Sequence, residues 1–285
     1  MCVVVADISP VGSMAKFSAQ YPDRFVNVGV AEQTMIGICA GLALRGMKPF
    51  AYTIATFALY RPFEMVRVDL CYQNLPVTVV GMGAGVIYST LGGTHHSQED
   101  IAIAGALPNM QIIAPCDPAE VVEATRHCAA QTAGPVYLRM GKAGEPVLTK
   151  DAEPWQFGKL RYLRRGRDVC ILTHGVIAGM AAQVADGLAA KGKTVSLVSC
   201  HTLKPLDRAG VIEALNSHAH VVVVEEHAPM GGLASMVKQI AWDVRASCRL
   251  DCFTLRDEFI HNYGGHGDLL AAHGLSPARM LEVLA

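Results

Sequence analysis

A carboxylate at the start of an apolar segment is the first group in this sequence that could do chemistry. Glu32 stands between a strand pattern that ends at Val28 and the segment 34–44, which contains no charged residue. A helix that is apolar all round is expected to be buried, and Gly37 and Gly41, one turn apart, would let another backbone approach closely. Two interpretations stay open at this point. Glu32 either complements the helix dipole or works as an acid in a low-dielectric interior.

Further residues able to do chemistry follow the predicted strands in the first half of the chain. They are an aromatic cluster, two histidines that end a glycine-rich segment, and an arginine: Phe57, Tyr60 and Phe63; His95 and His96; and Arg139. Ligands of open parallel sheets bind beyond the carboxyl ends of the strands. Together with Glu32, these residues therefore fall on one predicted edge of the sheet, which is the candidate site.

Most members of this set also have a structural interpretation. A spacing of three between aromatic residues is typical of core packing as well as of a stacking surface. The segment 81–85 fails the dinucleotide-binding fingerprint, because its third glycine comes one residue early and no helical pattern follows. No metal site is predicted, because the adjacent side chains of His95 and His96 diverge and no third ligand stands at metal spacing. Arg139, at a strand end beside a cleft, suits phosphate binding by its guanidinium.

The elements that must position these residues alternate between short β-branched runs and longer helical patterns, which indicates βαβ units around a parallel sheet. In the first half we predict strands near 2–6, 25–28, 49–54, 77–82, 111–114 and 135–138, and helices near 31–45, 62–73, 99–106 and 117–130. In the second half we predict strands near 168–173, 194–199, 220–224 and 250–254, and helices near 175–191 and 230–244. The fold class is therefore α/β with two doubly wound domains, 1–145 and 167–285, joined by a linker at 146–166.

The composition indicates a protein that buries more surface than a single subunit needs. Of the 285 residues, 51% are hydrophobic and 17% are charged, whereas about 25% charged residues is usual. An extensive subunit interface is therefore expected. The net charge is −1, and the pI is near 6.8, so there is no electrostatic case for a nucleic-acid or acidic-membrane partner.

The cysteines, the N-terminal segment and the length of the apolar runs together predict a cytoplasmic protein. The nine cysteines include no C-x-x-C pair and lie mostly in apolar segments, which fits reduced thiols. The N-terminus lacks a basic region and already reads as a strand, so a signal peptide is not expected. No uninterrupted apolar run reaches the length of a membrane span.

Four short motifs resemble the C-terminal half of transketolase, and the resemblance spans nearly the whole chain. They are 30–33 (Val-Ala-Glu-Gln), Thr56-Phe57, 93–95 (Gly-Thr-His) and 107–110 (Leu-Pro-Asn-Met). Residues 1–141 are similar to its pyrimidine-binding domain, and the later part, including Glu225-Glu226-His227, is similar to its C-terminal domain. The motifs are shared more loosely with 1-deoxyxylulose-5-phosphate synthase and with β subunits of 2-oxoacid dehydrogenases.

The resemblance implies a thiamine diphosphate cofactor and gives Glu32 a role. In the family a glutamate at N1′ of the aminopyrimidine ring drives a shift to the imino tautomer, and Glu32 matches it. Burial disfavours the ionised carboxyl, so a proton can be shared with the ring nitrogen. Phe57, Tyr60 and Phe63 match the aromatic pocket around the pyrimidine, with Tyr60 as the stacking ring.

The resemblance also implies residues for the sugar substrate. His95 matches a histidine that contacts the bound substrate, Arg139 matches a phosphate-binding arginine, and Arg61 stands where some relatives place another. Leu91 replaces an aspartate that recognises a hydroxyl group of the acceptor, and Gly83 stands where a histidine facing the substrate is common. The family pattern therefore predicts ketol transfer with an unusual acceptor.

The Gly-Asp-Gly…Asn motif, through which the family holds Mg²⁺ and the diphosphate, is missing from this sequence. The chain therefore resembles one product of a split transketolase, and the helix that precedes the first strand in relatives is absent. We expect it to be inactive alone and to form an α₂β₂-like heterotetramer with an N-terminal-half subunit that carries the metal. Three alternatives stay open: a 2-oxoacid dehydrogenase β-type subunit, which the His96-Ser97-Gln98 sequence resembles, a deoxyxylulose-phosphate synthase relative, and a cofactor-free regulatory subunit.

Overall fold

The computed structural model describes residues 1–8 and 14–284 of the chain. Its first sheet has seven strands, numbered here along the chain: β1 (Cys2–Val5), β2 (Phe25–Asn27), β3 (Pro49–Ile54), β4 (Thr78–Met82), β5 (Gln111–Ile113), β6 (Val136–Arg139) and β10 (Thr202–Lys204). Their order is β10-β5-β6-β4-β3-β1-β2. The first six strands are parallel, and β10 pairs antiparallel with β5 at the edge.

The helices of the first half cover the faces of this sheet. They are α1 (Ala15–Gln20), α2 (Glu32–Leu44), α3 (Ala55–Leu59), α4 (Phe63–Met65), α5 (Asp100–Gly105) and α6 (Pro118–Ala130). The predicted helix 62–73 takes a different form, because only Phe63–Met65 is α-helical and Val66–Tyr72 continues as a π-helix. Asp117 caps α6 as its position before Pro118 predicts, since its side chain accepts a hydrogen bond from the amide of Glu120.

The second sheet has five strands in the order β12-β11-β8-β9-β7. They are β7 (Arg161–Arg164), β8 (Val169–Thr173), β9 (Val195–Ser199), β11 (His220–Val224) and β12 (Arg249–Phe253). The helices of this half are α7 (Ala178–Ala190), α8 (Arg208–Ser217), α9 (Leu233–Asp243), α10 (His266–Ala272) and α11 (Pro277–Leu284). The fold class is therefore confirmed: two α/β domains, each built on a mostly parallel sheet.

The boundary between the halves differs in detail from the predicted one. Arg161–Arg164, within the predicted linker at 146–166, forms β7 and pairs antiparallel with β9. Thr202–Lys204, beyond the predicted boundary, joins the first sheet as β10. A strand of the second half thus completes the first sheet, which short sequence patterns do not reveal because the pairing is made over a long distance in the chain.

Buried apolar strands form the centre of each domain's hydrophobic core. All residues of β1 and β8 are buried, as expected for strands of a parallel sheet that helices cover on both faces. A buried cluster that otherwise consists of second-domain side chains, among them side chains of β8, β9 and β11, contains Val86 from the first half, which is fully buried. One glycine-rich loop of the first domain is therefore packed into the second.

Candidate active site

Glu32 is the first residue of α2 and is only 3% exposed. The N-cap residue Ala31 provides no side-chain cap. Nη1 of Arg61 lies 2.8 Å from Oε1 of Glu32, and the Arg61 side chain is 46% exposed. The buried carboxylate is thus paired with a cation that reaches it from the surface.

The segment after β3 places this cation. Phe57 lies in α3, and the guanidinium carbon of Arg61 stands 4.2 Å from the centroid of its ring. A cation over an aromatic face is attracted by the ring quadrupole. One short helix and the residues after it therefore supply both an aromatic face and the counter-charge to Glu32.

His95 completes this group from the loop between β4 and α5. Its ring makes an edge-on contact with Phe57, with 5.1 Å between ring centroids, and its Nδ1 lies 2.9 Å from Oγ1 of Thr94. Burial, together with the charge of Arg61, lowers the pKa of His95 below its usual value of 6.5. His95 is therefore neutral at pH 7 and can both donate and accept a hydrogen bond.

The two other predicted aromatic residues occupy different environments. Tyr60 lines the same cavity as Phe57 and donates a hydrogen bond from its hydroxyl to Oε2 of Glu99 at 3.0 Å. Burial, with the negative charges of Asp100 and Glu99, raises the pKa of Tyr60, so its hydroxyl stays protonated. Phe63 is half-buried and packs against the largest buried cluster, which contains residues of both domains.

A cavity of about 640 Å³ opens in front of Phe57, Tyr60 and Arg61. Its wall consists of side chains from the first domain and one from the second: Thr56, Phe57, Tyr60, Arg61, Gly93, Thr94, His96, Glu99, Ile103 and Phe259. Phe259 is 71% exposed and lies outside the regular elements of the second half, where no sequence pattern marks it as a site residue. Glu99 was also missed, because its role depends on its contact with Tyr60.

Arg139 lies in the interior and not in the wall of this cavity. It is 3% exposed, its Nε is 2.9 Å from Oδ2 of Asp100, and its Nη2 donates to the main-chain oxygen of Glu226 at 3.0 Å. Tyr137 donates to the same Asp100 oxygen. Burial alone would lower the pKa of Arg139, but the charges of Asp100, Tyr137 and Glu226 and the hydrogen bond to Asp100 together outweigh it and raise that pKa. Arg139 thus makes a buried pairing between Asp100 and the second domain, whereas Arg61 lies in the cavity wall.

The two positions where the family pattern changes also have distinct surroundings. Leu91 is 50% exposed. Gly83 has a positive φ of +64°, and a side chain there would collide with the ring of Tyr88. Tyr88 lies near His95, with 6.3 Å between ring centroids. An aromatic ring therefore occupies the space that a histidine at position 83 would need.

The residues present fit one half of the implied cofactor. A buried carboxylate beside an aromatic face suits an aminopyrimidine, which offers a ring nitrogen to the acid and a flat surface to the aromatic side chain.

Within residues 1–8 and 14–284, no group of three or more His, Cys, Asp or Glu side chains could hold a metal ion. In the same part of the chain, no helix is long and apolar enough to cross a membrane.

Comparison with known families matches each half of the chain to one family. Residues 1–144 match the family described as transketolase, pyrimidine binding domain. Residues 158–280 match the family described as transketolase, C-terminal domain. The pyrimidine-binding match contains Glu32, Phe57 and His95.

Individual relatives cover nearly the same length. The chain is 35% identical over 280 residues to one subunit of the apulose-4-phosphate transketolase of Actinobacillus succinogenes, covering 98% of this chain and 90% of that protein. It is 35% identical over 230 residues to the SqwH subunit of the 6-deoxy-6-sulfo-D-fructose transketolase of a Clostridium species, covering 81% and 71%. Among solved structures, a split gene transketolase described as an inactive beta4 tetramer superposes with a TM-score of 0.87 at 32% identity, covering 99% of this chain and 90% of that one.

Proposed function

Since the chain belongs to the transketolase family, as the C-terminal subunit of a transketolase-like enzyme, we propose that Glu32, Arg61 and the cavity lined by Phe57 and Tyr60 form the pyrimidine-binding half of a thiamine diphosphate site. The observation that carries this proposal is the buried carboxylate of Glu32 at the head of an apolar helix, paired with Arg61, whose guanidinium stands over the ring of Phe57. An acid that only complements the helix dipole requires neither this burial nor an aromatic cavity next to it.

Each residue assigned to the cofactor or the sugar has a proposed role. Glu32 holds a proton at N1′ of the aminopyrimidine, and Phe57 and Tyr60 bound the ring, with Phe63 supporting them from the core. His95, neutral at pH 7, hydrogen-bonds to hydroxyl groups of the sugar. Thiamine diphosphate supplies the carbon centre that receives the two-carbon ketol unit between donor and acceptor.

We assign the substrate phosphate to Arg61 and leave Arg139 out of the substrate contacts. Arg61 is half-exposed and lines the cavity, so its guanidinium can reach a bound sugar phosphate. The donor in this proposal is a ketose phosphate and the acceptor an aldose, in carbohydrate metabolism. The changed positions, Leu91 and Gly83, favour an acceptor that differs from ordinary pentose phosphates.

A partner subunit completes the proposed site. It would supply the diphosphate-binding residues and Mg²⁺, in an α₂β₂-like heterotetramer in the cytoplasm. The face of α2 supports self-association, because Thr34, Gly37 and Gly41 are exposed on a helix without charged side chains beyond Glu32. A side chain at Gly37 or Gly41 would meet no other atom within 4 Å, so the face is open to a second subunit.

Reconstitution tests the proposal. The purified chain, an N-terminal-half transketolase subunit, and the mixture of both are assayed with thiamine diphosphate and Mg²⁺ for transfer from ketose phosphates to a panel of aldoses. We expect activity from the mixture that saturates at equal amounts of the subunits. Robust transfer by the single chain would refute the split site, and CO₂ release from pyruvate without ketol transfer would indicate a 2-oxoacid-type enzyme instead.

A further inference from the structure

The loop that carries His95 is held by the second domain. It leaves β4 at Met82, and two hydrogen bonds between Gly85 and Ser97 close its neck. The amide of Gly85 donates to Oγ of Ser97 at 2.9 Å, and the amide of Ser97 donates to the oxygen of Gly85 at 2.8 Å. Beyond this neck the loop contains one short 3₁₀ helix, Ser89–Leu91, and a turn in which the amide of His95 donates to the oxygen of Gly92 at 2.9 Å. The first domain holds the base of the loop, where the amides of Gly83 and Ala84 donate to the main-chain oxygens of Gly141 and Met140, and the second domain supplies further anchors.

Val86, the first residue beyond the neck, is fixed by the second domain through both its side chain and its backbone. Its side chain is fully buried in the core of that domain. Its amide donates to Oε1 of Glu226 at 2.6 Å. Gly85 has a φ of +77°, and a side chain there would collide with the Glu226 carboxylate, so a glycine is required for this close approach.

The other end of the loop is tied to the same residues. The amide of Ala228 donates to the oxygen of Gln98 at 2.7 Å. Arg139 joins Asp100, the first residue of α5, to the main-chain oxygen of Glu226. Both ends of the His95 loop are thus anchored within two residues of Glu226.

We propose that the second domain is a positioning device for the His95 loop, with Glu226 as the positioning residue. Glu226 is 1% exposed, and its Oε1 also lies 2.9 Å from Nε2 of His266. A carboxylate held by two donors is a fixed point on which the loop can be aligned. The role of His95 toward the sugar rests on the proposed function, whereas the anchoring of the loop does not.

Hydrogen–deuterium exchange on the isolated chain tests the anchoring without any assay of activity. In Glu226→Ala we expect the amides of 86–96 to exchange about 10-fold faster or more, because a buried donor loses its acceptor. Exchange in α2 and β3 should stay unchanged. Glu226→Gln, which keeps an oxygen for the Val86 amide, should restore most of the protection.

A matched control comes from the other buried glutamate that joins the domains. Glu120 is fully buried and accepts from the amide of Cys116, Oγ of Ser199 and Nη1 of Arg161, far from the loop in the chain. Glu120→Ala should lower overall stability without a selective change at 86–96. If it opens the loop as much as Glu226→Ala does, or if Glu226→Ala leaves the loop protected, the proposal is overturned. Should Glu226→Ala fail to fold, Glu226→Asp, which retracts the carboxylate by one methylene, is judged by the same criterion.

In the reconstituted enzyme, Glu226→Ala should lower kcat about 10-fold or more and change the cofactor concentration for half-saturation less, because Glu32 and Phe57 are not in the loop although Gly93, Thr94 and His96 of the cavity wall are. Glu226→Gln should recover most of kcat. A fall in kcat matched by an equal loss of cofactor binding would instead indicate general damage. If no ketol transfer is found with any variant, the proposed function fails while the exchange result still decides the anchoring.

Discussion

The pairing of Arg61 with Glu32 places two predicted site residues in direct contact. Glu32 is the group assigned to the cofactor, and the guanidinium of Arg61 occupies one of its oxygens at 2.8 Å. Arg61 also stacks on Phe57 and lines the cavity. It could therefore serve either to hold Glu32 or to bind the phosphate of the sugar, and the proposed function assigns it the second task.

Arg61→Gln separates these tasks in the assembled enzyme. We expect KM for a phosphorylated ketose donor to rise by roughly 10- to 100-fold, the usual effect of removing a hydrogen bond to a charged group, with kcat little changed. KM for the same ketose without its phosphate should hardly change, and this comparison is the control. An equal loss for both donors, or a loss confined to cofactor binding, would make Arg61 a partner of Glu32 alone.

At the scale of elements, the sequence was most informative where local pattern and burial agree. The apolar segment 34–44 predicted α2, and Asp117-Pro118 predicted the start of α6, because each signal lies within the element itself. The π-helix at Val66–Tyr72 and the strand β10 were missed, since a register change and a pairing across the domains leave no local signature. The same limit applies to Phe259 and to Arg139, whose surroundings are set by contacts between distant segments.

Gly41→Leu tests the open face of α2. The position is helical and a new side chain meets nothing within 4 Å, so leucine should stabilise the isolated chain by up to about 1 kcal/mol through helix propensity. If α2 packs against a second subunit, the same change should weaken assembly, seen as smaller species in analytical ultracentrifugation.

Gly179→Leu is the matched control for the α2 variant. Gly179 also lies in a helix, α7, with no atom within 4 Å of a new side chain, but on the second domain. It should leave assembly unchanged. Unaltered association in Gly41→Leu would exclude this face of α2 from the interface.

At the scale of the whole molecule, charged pairs couple the two domains. Asp100, Arg139, Glu226 and His266 form a connected set that runs from the start of α5 to the start of α10. Burial lowers the pKa of His266, but its hydrogen bond to Glu226 and the charge of that carboxylate outweigh burial and raise the pKa above 6.5. The interdomain contact is therefore expected to depend on pH.

His266→Gln isolates that dependence. A raised folded-state pKa stabilises the fold fully below pH 6.5, and this contribution is lost as the pH rises through the folded-state value. The difference in unfolding free energy between wild type and variant should therefore be largest near pH 6 and vanish at higher pH. We expect a maximum on the order of 1 kcal/mol, because the His266 side chain is about one-third exposed and water screens its charge.

Buried His96 and Arg139, which also lie near Glu226, are the same in both proteins, so their contributions cancel in the difference in unfolding free energy. Denaturant titrations at several pH values measure it, and a constant difference would contradict the assignment.

The central claim is that Glu32 is an acid–base group for the cofactor, and Glu32→Gln in the assembled enzyme tests it most directly. Glutamine keeps the shape and a hydrogen bond but cannot exchange the proton. With cofactor saturating, we predict that fold and assembly persist while ketol transfer falls by roughly 10²–10⁴, the usual contribution of a positioned acid–base group. Deuterium exchange at C2 of thiamine diphosphate should slow in parallel. If Glu32 only complemented the helix dipole, the variant would lose under about 1 kcal/mol of stability and would turn over at the wild-type rate, and that result would contradict the account.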